Sequence, residues 1–172
     1  MASVHQNLSV FDKSQLPDAS GMRFGIVVAE WNANITGALL KGALDALKEC
    51  GVPDTSVYKI DVPGSFELTA GAKFIASQHK LDAVICLGCV IQGETRHFDF
   101  ICDAVAHGLT NLSIMTSIPF IFGVLTTDNE QQAIERSGGK HGNKGTEAAI
   151  TAIKMAGLKN QSGSGKTIGF GN

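Results

Sequence analysis

The run Gly93-Glu94-Thr95-Arg96-His97-Phe98-Asp99 joins a candidate anion seat to a titratable side chain within seven residues. Residues 83–87 before it are an apolar run that reads as a buried strand ending at Gly88, and a helix is expected from about Phe98 to Thr116. Beyond the carboxyl ends of strands in an open α/β sheet, helix N-termini offer free N–H groups and a partial positive charge to an anion. Histidine is the side chain best suited to moving protons near neutral pH. His97 is the histidine beside this loop; His5 falls in the N-terminal stretch, His79 and His107 on helix surfaces, and His141 in a glycine- and lysine-rich loop. A capping or surface histidine is the plainer reading of the same residue.

Three further segments offer chemistry. The lone tryptophan, Trp31, stands with Asn32 in the turn after the first strand, where it either stacks on a planar heterocycle or packs on a neighbouring loop or subunit. In Val62-Pro63-Gly64-Ser65-Phe66-Glu67, a glycine lets a ligand approach the backbone and Ser65 is placed to cap a helix. Glu67 suits polyol hydroxyls, although a helix-capping role is the better reading of the local sequence. Arg136 with the loop 138–145 gathers basic side chains that suit a phosphate, against the commoner reading of a solvated loop.

Composition narrows the classes. With 44% hydrophobic and 17% charged residues in 172, the chain has the make-up of a single globular domain with a substantial core. A net charge of −2 provides no basic face for nucleic acid or membrane lipid. No signal peptide or membrane span is expected, and a cytoplasmic location is. Cys86 and Cys89 form a C-x-x-C, but both fall in or beside a buried strand, so they read as structural thiols rather than as a redox pair or half a metal site. Gly163-Ser164-Gly165-Lys166-Thr167 imitates half a P-loop, yet Asn160 stands where the first glycine belongs.

These residues need a scaffold, and periodicity supplies one. Strands are expected at 24–28, 57–62, 83–87 and 120–125, with helices at 35–50, from Ser65 to about Gln78, from about Phe98 to Thr116, after an Asp128 or Asn129 cap, and from about Gly145 to Ala156. Gly51, Gly138-Gly139 and Gly157 serve as stops. The order βαβαβαβαα implies a flavodoxin-like three-layer α/β sandwich, a four-stranded parallel sheet with helices on both faces. Residues 1–22 read as an extended arm able to add a strand to a neighbouring subunit, 23–158 as the folded domain, and 159–172 as a flexible tail.

Taken in order, Glu30-Trp31-Asn32, the segment 62–67, Gly93 to Asp99, Phe120-Ile121-Phe122-Gly123-Val124-Leu125-Thr126, Gln132 to Gly138 and Gly142-Asn143-Lys144-Gly145 resemble the 6,7-dimethyl-8-ribityllumazine synthases of riboflavin biosynthesis over residues 23–158. The resemblance implies a transferase that condenses 5-amino-6-(D-ribitylamino)uracil with 3,4-dihydroxy-2-butanone 4-phosphate, without cofactor or metal. It implies that Trp31 stacks on the pyrimidine, and that Val90 and Ile91 contact the pyrimidine edge through their backbone. Asn32 and the backbone of Gly64, Ser65 and Phe66 would hold the ribityl chain, with Glu67 on its hydroxyls. Gly93, Glu94 and Thr95 would cradle the phosphate with Arg136, and His97 would carry protons. It also implies a homopentamer in which Phe122, Arg136 and Lys144 reach the site from the adjacent chain. The short connection before Lys144 resembles that of members forming a 60-subunit icosahedral shell, with riboflavin synthase as a further partner. Tryptophan at position 31, where many bacterial members carry phenylalanine, and Glu30 in place of a common arginine are departures, and the first leaves riboflavin binding open. A non-catalytic flavin-binding or shell-forming scaffold is the alternative, and a flavodoxin-like redox protein a weaker one.

Overall fold

A computed structural model of the protein describes residues 7–163. Four strands, β1 (Phe24–Ala29), β2 (Val57–Val62), β3 (Ala83–Ile91) and β4 (Phe120–Thr127), form a parallel sheet in the order β2-β1-β3-β4. The helices are α1 (Ala33–Glu49), α2 (Leu68–Gln78), α3 (His97–Thr116), α4 (Glu130–Arg136) and α5 (Lys144–Gly163). Successive side chains of a strand point to opposite faces, and the core divides accordingly. Ile26, Val28, Ile85 and Leu87 pack with α1, α4 and α5, while Val27, Ala29, Val84 and Cys86 pack with α2 and α3. All six residues of β1 are buried, as a central strand covered on both faces requires. This is the expected three-layer sandwich.

Three elements run further than the sequence suggests, two of them because a glycine reads as a stop. β3 continues through Gly88 to Ile91; a Cβ there would meet Ser65 Oγ at 2.7 Å and Leu68 Cδ1 at 2.9 Å. Gly88 thus marks a close approach, not a break. α5 likewise passes through Gly157, where a Cβ would lie 2.6 Å from Cγ of Pro17, and residues 159–163 continue the helix instead of opening a tail. β4 extends to Thr127, paired with Ile91 at the end of β3. The loop 138–145 is partly ordered as a small antiparallel pair, β5 (Ser137–Gly139) and β6 (Gly142–Asn143).

Residues 7–22 lie against their own chain, with Leu8, Ala19 and Met22 buried and one 3-10 turn, Lys13–Gln15, capped by Asp12. The N-terminal residues 1–6, with His5, and the run 164–172, with most of the P-loop imitation, lie outside the described residues. Among the described residues no helix is long and apolar enough to cross a membrane.

Where α1 crosses α5 the backbones meet. A Cβ on Gly145 would stand 1.9 Å from the Leu39 carbonyl oxygen, and Thr146 Oγ1 donates to the Gly42 carbonyl at 3.2 Å. A backbone carbonyl cannot rotate away as a side chain can. Gly145→Ala should therefore destabilise the protein by about 3 kcal/mol, the upper part of the usual overpacking range. Denaturant midpoints read this directly, and a wild-type midpoint would show that the helices can separate at no cost.

Candidate active site

Three loops leave the carboxyl edge of the sheet side by side, after β1, β2 and β3. Beyond β1 and β2 the ladder continues: Glu30 N–H donates to Val62 O at 2.8 Å and Trp31 N–H to Pro63 O at 3.3 Å. Asn32 adopts the left-handed conformation (φ 58°, ψ 49°), which asparagine tolerates better than most residues. Its side-chain Nδ2 donates to the Cys89 carbonyl at 3.0 Å, tying the first loop to β3. The Trp31 indole is held on this braced turn yet is 73% exposed. A large aromatic ring kept in water on a rigid backbone is a ready surface for a planar ligand.

After β2 the chain makes a 3-10 turn, Ser65–Glu67, before α2 begins. Neither expected cap forms: the Ser65 hydroxyl is buried with no hydrogen-bond partner, and Glu67, at the N-cap of α2, makes no side-chain bond to the helix. The Glu67 carboxylate instead lies over Gly64, 3.1 Å from where a Cβ would stand, with Trp31 Cδ1 at 3.4 Å on the same spot. The Glu67 carboxylate is thereby left available to a ligand, whereas the Ser65 hydroxyl is sealed against Gly88 without a partner.

These loops enclose a cleft of about 700 Å³, within the range of small-molecule sites. Nine of the residues singled out in the sequence line it: Trp31, Asn32, Gly64, Ser65, Phe66, Glu67, Val90, Ile91 and His97. Cys89, Phe100 and Ile101 line it too and were missed. The signal for the last two was helical spacing, since residues three and four beyond His97 share its face of α3. His97 is the first residue of α3 and is exposed, and among the described residues no group holds its imidazole. Thr95 Oγ1 accepts from the His97 N–H at 3.4 Å. Gly93, Glu94 and Thr95 are exposed just ahead of the helix and outside the cleft lining.

Phe122, Arg136 and Lys144 do not reach this cleft in their own chain. Phe122 is half-buried in β4, against the core beneath α2 and α3. Arg136 ends α4, its Nη1 donating to Gln132 O at 3.0 Å, and Lys144 opens α5 paired with Glu147 at 2.9 Å. Neither lysine nor arginine lines the cleft. Large apolar side chains stand in water on α2 and α3, namely Phe74, Phe100, Ile114 and Met115, and only Val105 and Leu109 of the twenty residues of α3 are buried. Exposed apolar surface of this kind accompanies protein, membrane or ligand contacts.

Cys86 and Cys89 are free thiols inside β3. Burial pushes both upward, Cys89 to about 11 with Glu130 adding to the effect, and Cys86 further still. A raised pKa means that the reactive thiolate is scarce at neutral pH, and burial of both sulfurs disfavours redox exchange there as well. An alkylating reagent at neutral pH should leave both unmodified in the native protein and label both after denaturation. Rapid native labelling, read by mass spectrometry, would mean that β3 is not buried as described.

A family model described as 6,7-dimethyl-8-ribityllumazine synthase matches residues 21–160. Among curated relatives, the 6,7-dimethyl-8-ribityllumazine synthase of Flavobacterium johnsoniae is 56% identical over 161 residues, covering 94% of this chain and 85% of its own. That of Parabacteroides distasonis is 57% identical over 155 residues, covering 90% and 97%. That of Porphyromonas gingivalis is 54% identical over 159 residues, covering 92% and 99%.

Proposed function

The chain belongs to the 6,7-dimethyl-8-ribityllumazine synthase family, and we propose that it joins 5-amino-6-(D-ribitylamino)uracil to 3,4-dihydroxy-2-butanone 4-phosphate at the cleft beside His97. The observation that carries this reading is the meeting of nine residues from separate loops in one cavity whose parts match the pyrimidine substrate. The Trp31 ring offers a stacking face to the heterocycle, and Val90 and Ile91 offer backbone groups to its edge. The ribityl chain lies along the backbone of Gly64, Ser65 and Phe66, where the Glu67 carboxylate meets its hydroxyls. Asn32, already anchored to Cys89, presents its remaining amide groups without having to be ordered on binding.

The reaction moves protons at several atoms. The 5-amino group adds to the ketone carbonyl and water leaves, forming an imine. Loss of a proton from the adjacent carbon then expels phosphate. The enol left by that elimination takes up a proton to become a ketone, and the ribitylamino nitrogen closes the ring on this new carbonyl, with loss of a second water. His97 accepts the proton as the amine attacks and returns it to a departing oxygen, a role that its unrestrained imidazole permits. Holding two reactants in register supplies the larger part of the acceleration.

The phosphorylated substrate needs a cation that the cleft lining does not contain. Gly93, Glu94 and Thr95 supply the seat at the start of α3, and Arg136 and Lys144 of an adjacent copy supply the charge, with Phe122 closing over the pyrimidine. The apolar face of α3 supports a pentamer as the working unit. The short connection between α4 and α5 supports its closure into a 60-subunit shell, and the family likeness alone supports a cytoplasmic location and riboflavin synthase as partner. A catalytically silent scaffold of the same fold gains no support, since His97 and Glu67 both stand in the cleft.

Turnover of the two substrates, followed by the fluorescence of the lumazine product, tests the reading. The protein should exceed the spontaneous rate. His97→Ala should slow it by roughly 10²-fold without abolishing it, the lower part of the range for a positioned acid–base group. Arg136→Ala should chiefly raise KM for the phosphorylated substrate. No turnover above background from assembled protein would overturn the assignment, and complete loss in His97→Ala would overturn the division of labour.

A further inference from the structure

We propose that residues 7–9 are a positioning strap, holding the hairpin β5–β6 so that Arg136 and Lys144 stand where the substrate phosphate binds. This rests on the reading above, in which those two cations take the phosphate. They flank the hairpin, one ending the helix before it and the other opening the helix after it. Lys144 stands next to a residue that the strap fastens, and Arg136 next to one that the strap holds through His141.

On the arginine side, Leu8 N–H donates to the His141 carbonyl at 2.8 Å, and His141 N–H donates to the Glu135 carbonyl at 2.8 Å. His141 Nε2 also lies 3.7 Å from the Glu135 carboxylate. Glu135 precedes Arg136. On the lysine side, Asn143 N–H donates to Ser9 Oγ at 2.9 Å. Asn143 precedes Lys144.

The strap arrives with its shape set and its end anchored. Asn7 Oδ1 accepts from Ser9 N–H at 2.8 Å, and the Leu8 side chain is buried. It lies directly on the hairpin backbone: a Cβ on Gly142 would fall 2.2 Å from Asn7 Oδ1 and 2.7 Å from Ser9 N. Gly142 also has φ +83°, so both conformation and space require glycine there. From the opposite side Asn143 Nδ2 donates to Ala38 O at 2.9 Å and Ser137 O at 3.0 Å, and its Oδ1 accepts from Gly145 N–H at 2.8 Å. The hairpin is clamped between α1 and the strap. The Ser9 hydroxyl is the acceptor that pairs the N–H of the buried Asn143, and its loss frees the clamp on one side alone.

The test uses the full-length assembled protein and three forms, wild type, Ser9→Ala and Ser9→Thr, with each substrate varied in turn. In Ser9→Ala, KM for the phosphorylated substrate should rise roughly tenfold, within the range that slight misplacement of a binding group produces. The maximal rate and KM for the ribitylaminouracil should stay within roughly twofold of wild type. Ser9→Thr, which keeps the hydroxyl, should behave as wild type. Amide exchange at Asn143 should quicken in Ser9→Ala and not in Ser9→Thr. An unchanged KM for the phosphorylated substrate, or a rise in both KM values together with a fall in the maximal rate, would overturn the strap. If the wild type showed no turnover, the synthase reading would be the one to fall. Amide exchange would still decide the strap, which equal rates at Asn143 in wild type and Ser9→Ala would overturn.

Discussion

The parallel pairing of β1 on both sides is the constraint from which the site follows. β2 and β3 pair with β1 along its length, so the chain leaves the sheet three times at one edge. The connection from β1 goes outward to β2 and the next returns to β3, which opens a crevice where the order reverses. Because the backbone ladder continues past the strands, through Glu30 to Val62 and Gln92 to Thr127, the loops stay braced as they depart. A cleft whose walls belong to the sheet needs little ordering when a ligand enters, and binding is stronger for it.

Helices approach the sheet and one another closely where glycines remove the Cβ. Ser65 sits over Gly88, and α5 touches the Leu39 backbone at Gly145. These contacts set the depth of the cleft as well as the thickness of the fold, since the Ser65–Glu67 turn is both a wall of the cavity and the neighbour of Gly88. Packing and binding therefore draw on the same few atoms.

Much of this was legible in the sequence, and the failures have a common cause. The alternating apolar and polar segment 57–62 matched the observed β2 in full, and residues after the first three strands meet at one edge. Gly88 and Gly157 were misread because a glycine signals either a turn or a missing Cβ, and the partners that decide, Ser65 and Pro17, lie far away in the chain. Ser65 and Glu67 fit the local pattern of caps, yet tertiary packing left both free of the helix. Phe100 reads as one more apolar helix residue until its neighbour His97 is known to face a cavity. Arg136 and Lys144 could not be placed from one chain, because their proposed destination is another copy.

The central claim is that one chain supplies a cleft without a cation and an adjacent copy completes it. Mixed assembly tests it most directly. His97→Ala and Arg136→Ala subunits, each weakly active alone, are dissociated, combined and reassembled. If the site is shared, roughly a quarter of the sites in a random mixture take His97 from one chain and Arg136 from the next, and activity at low phosphorylated substrate rises well above both parents. Activity no greater than the average of the two parents would contradict the account and place the whole site within a single chain.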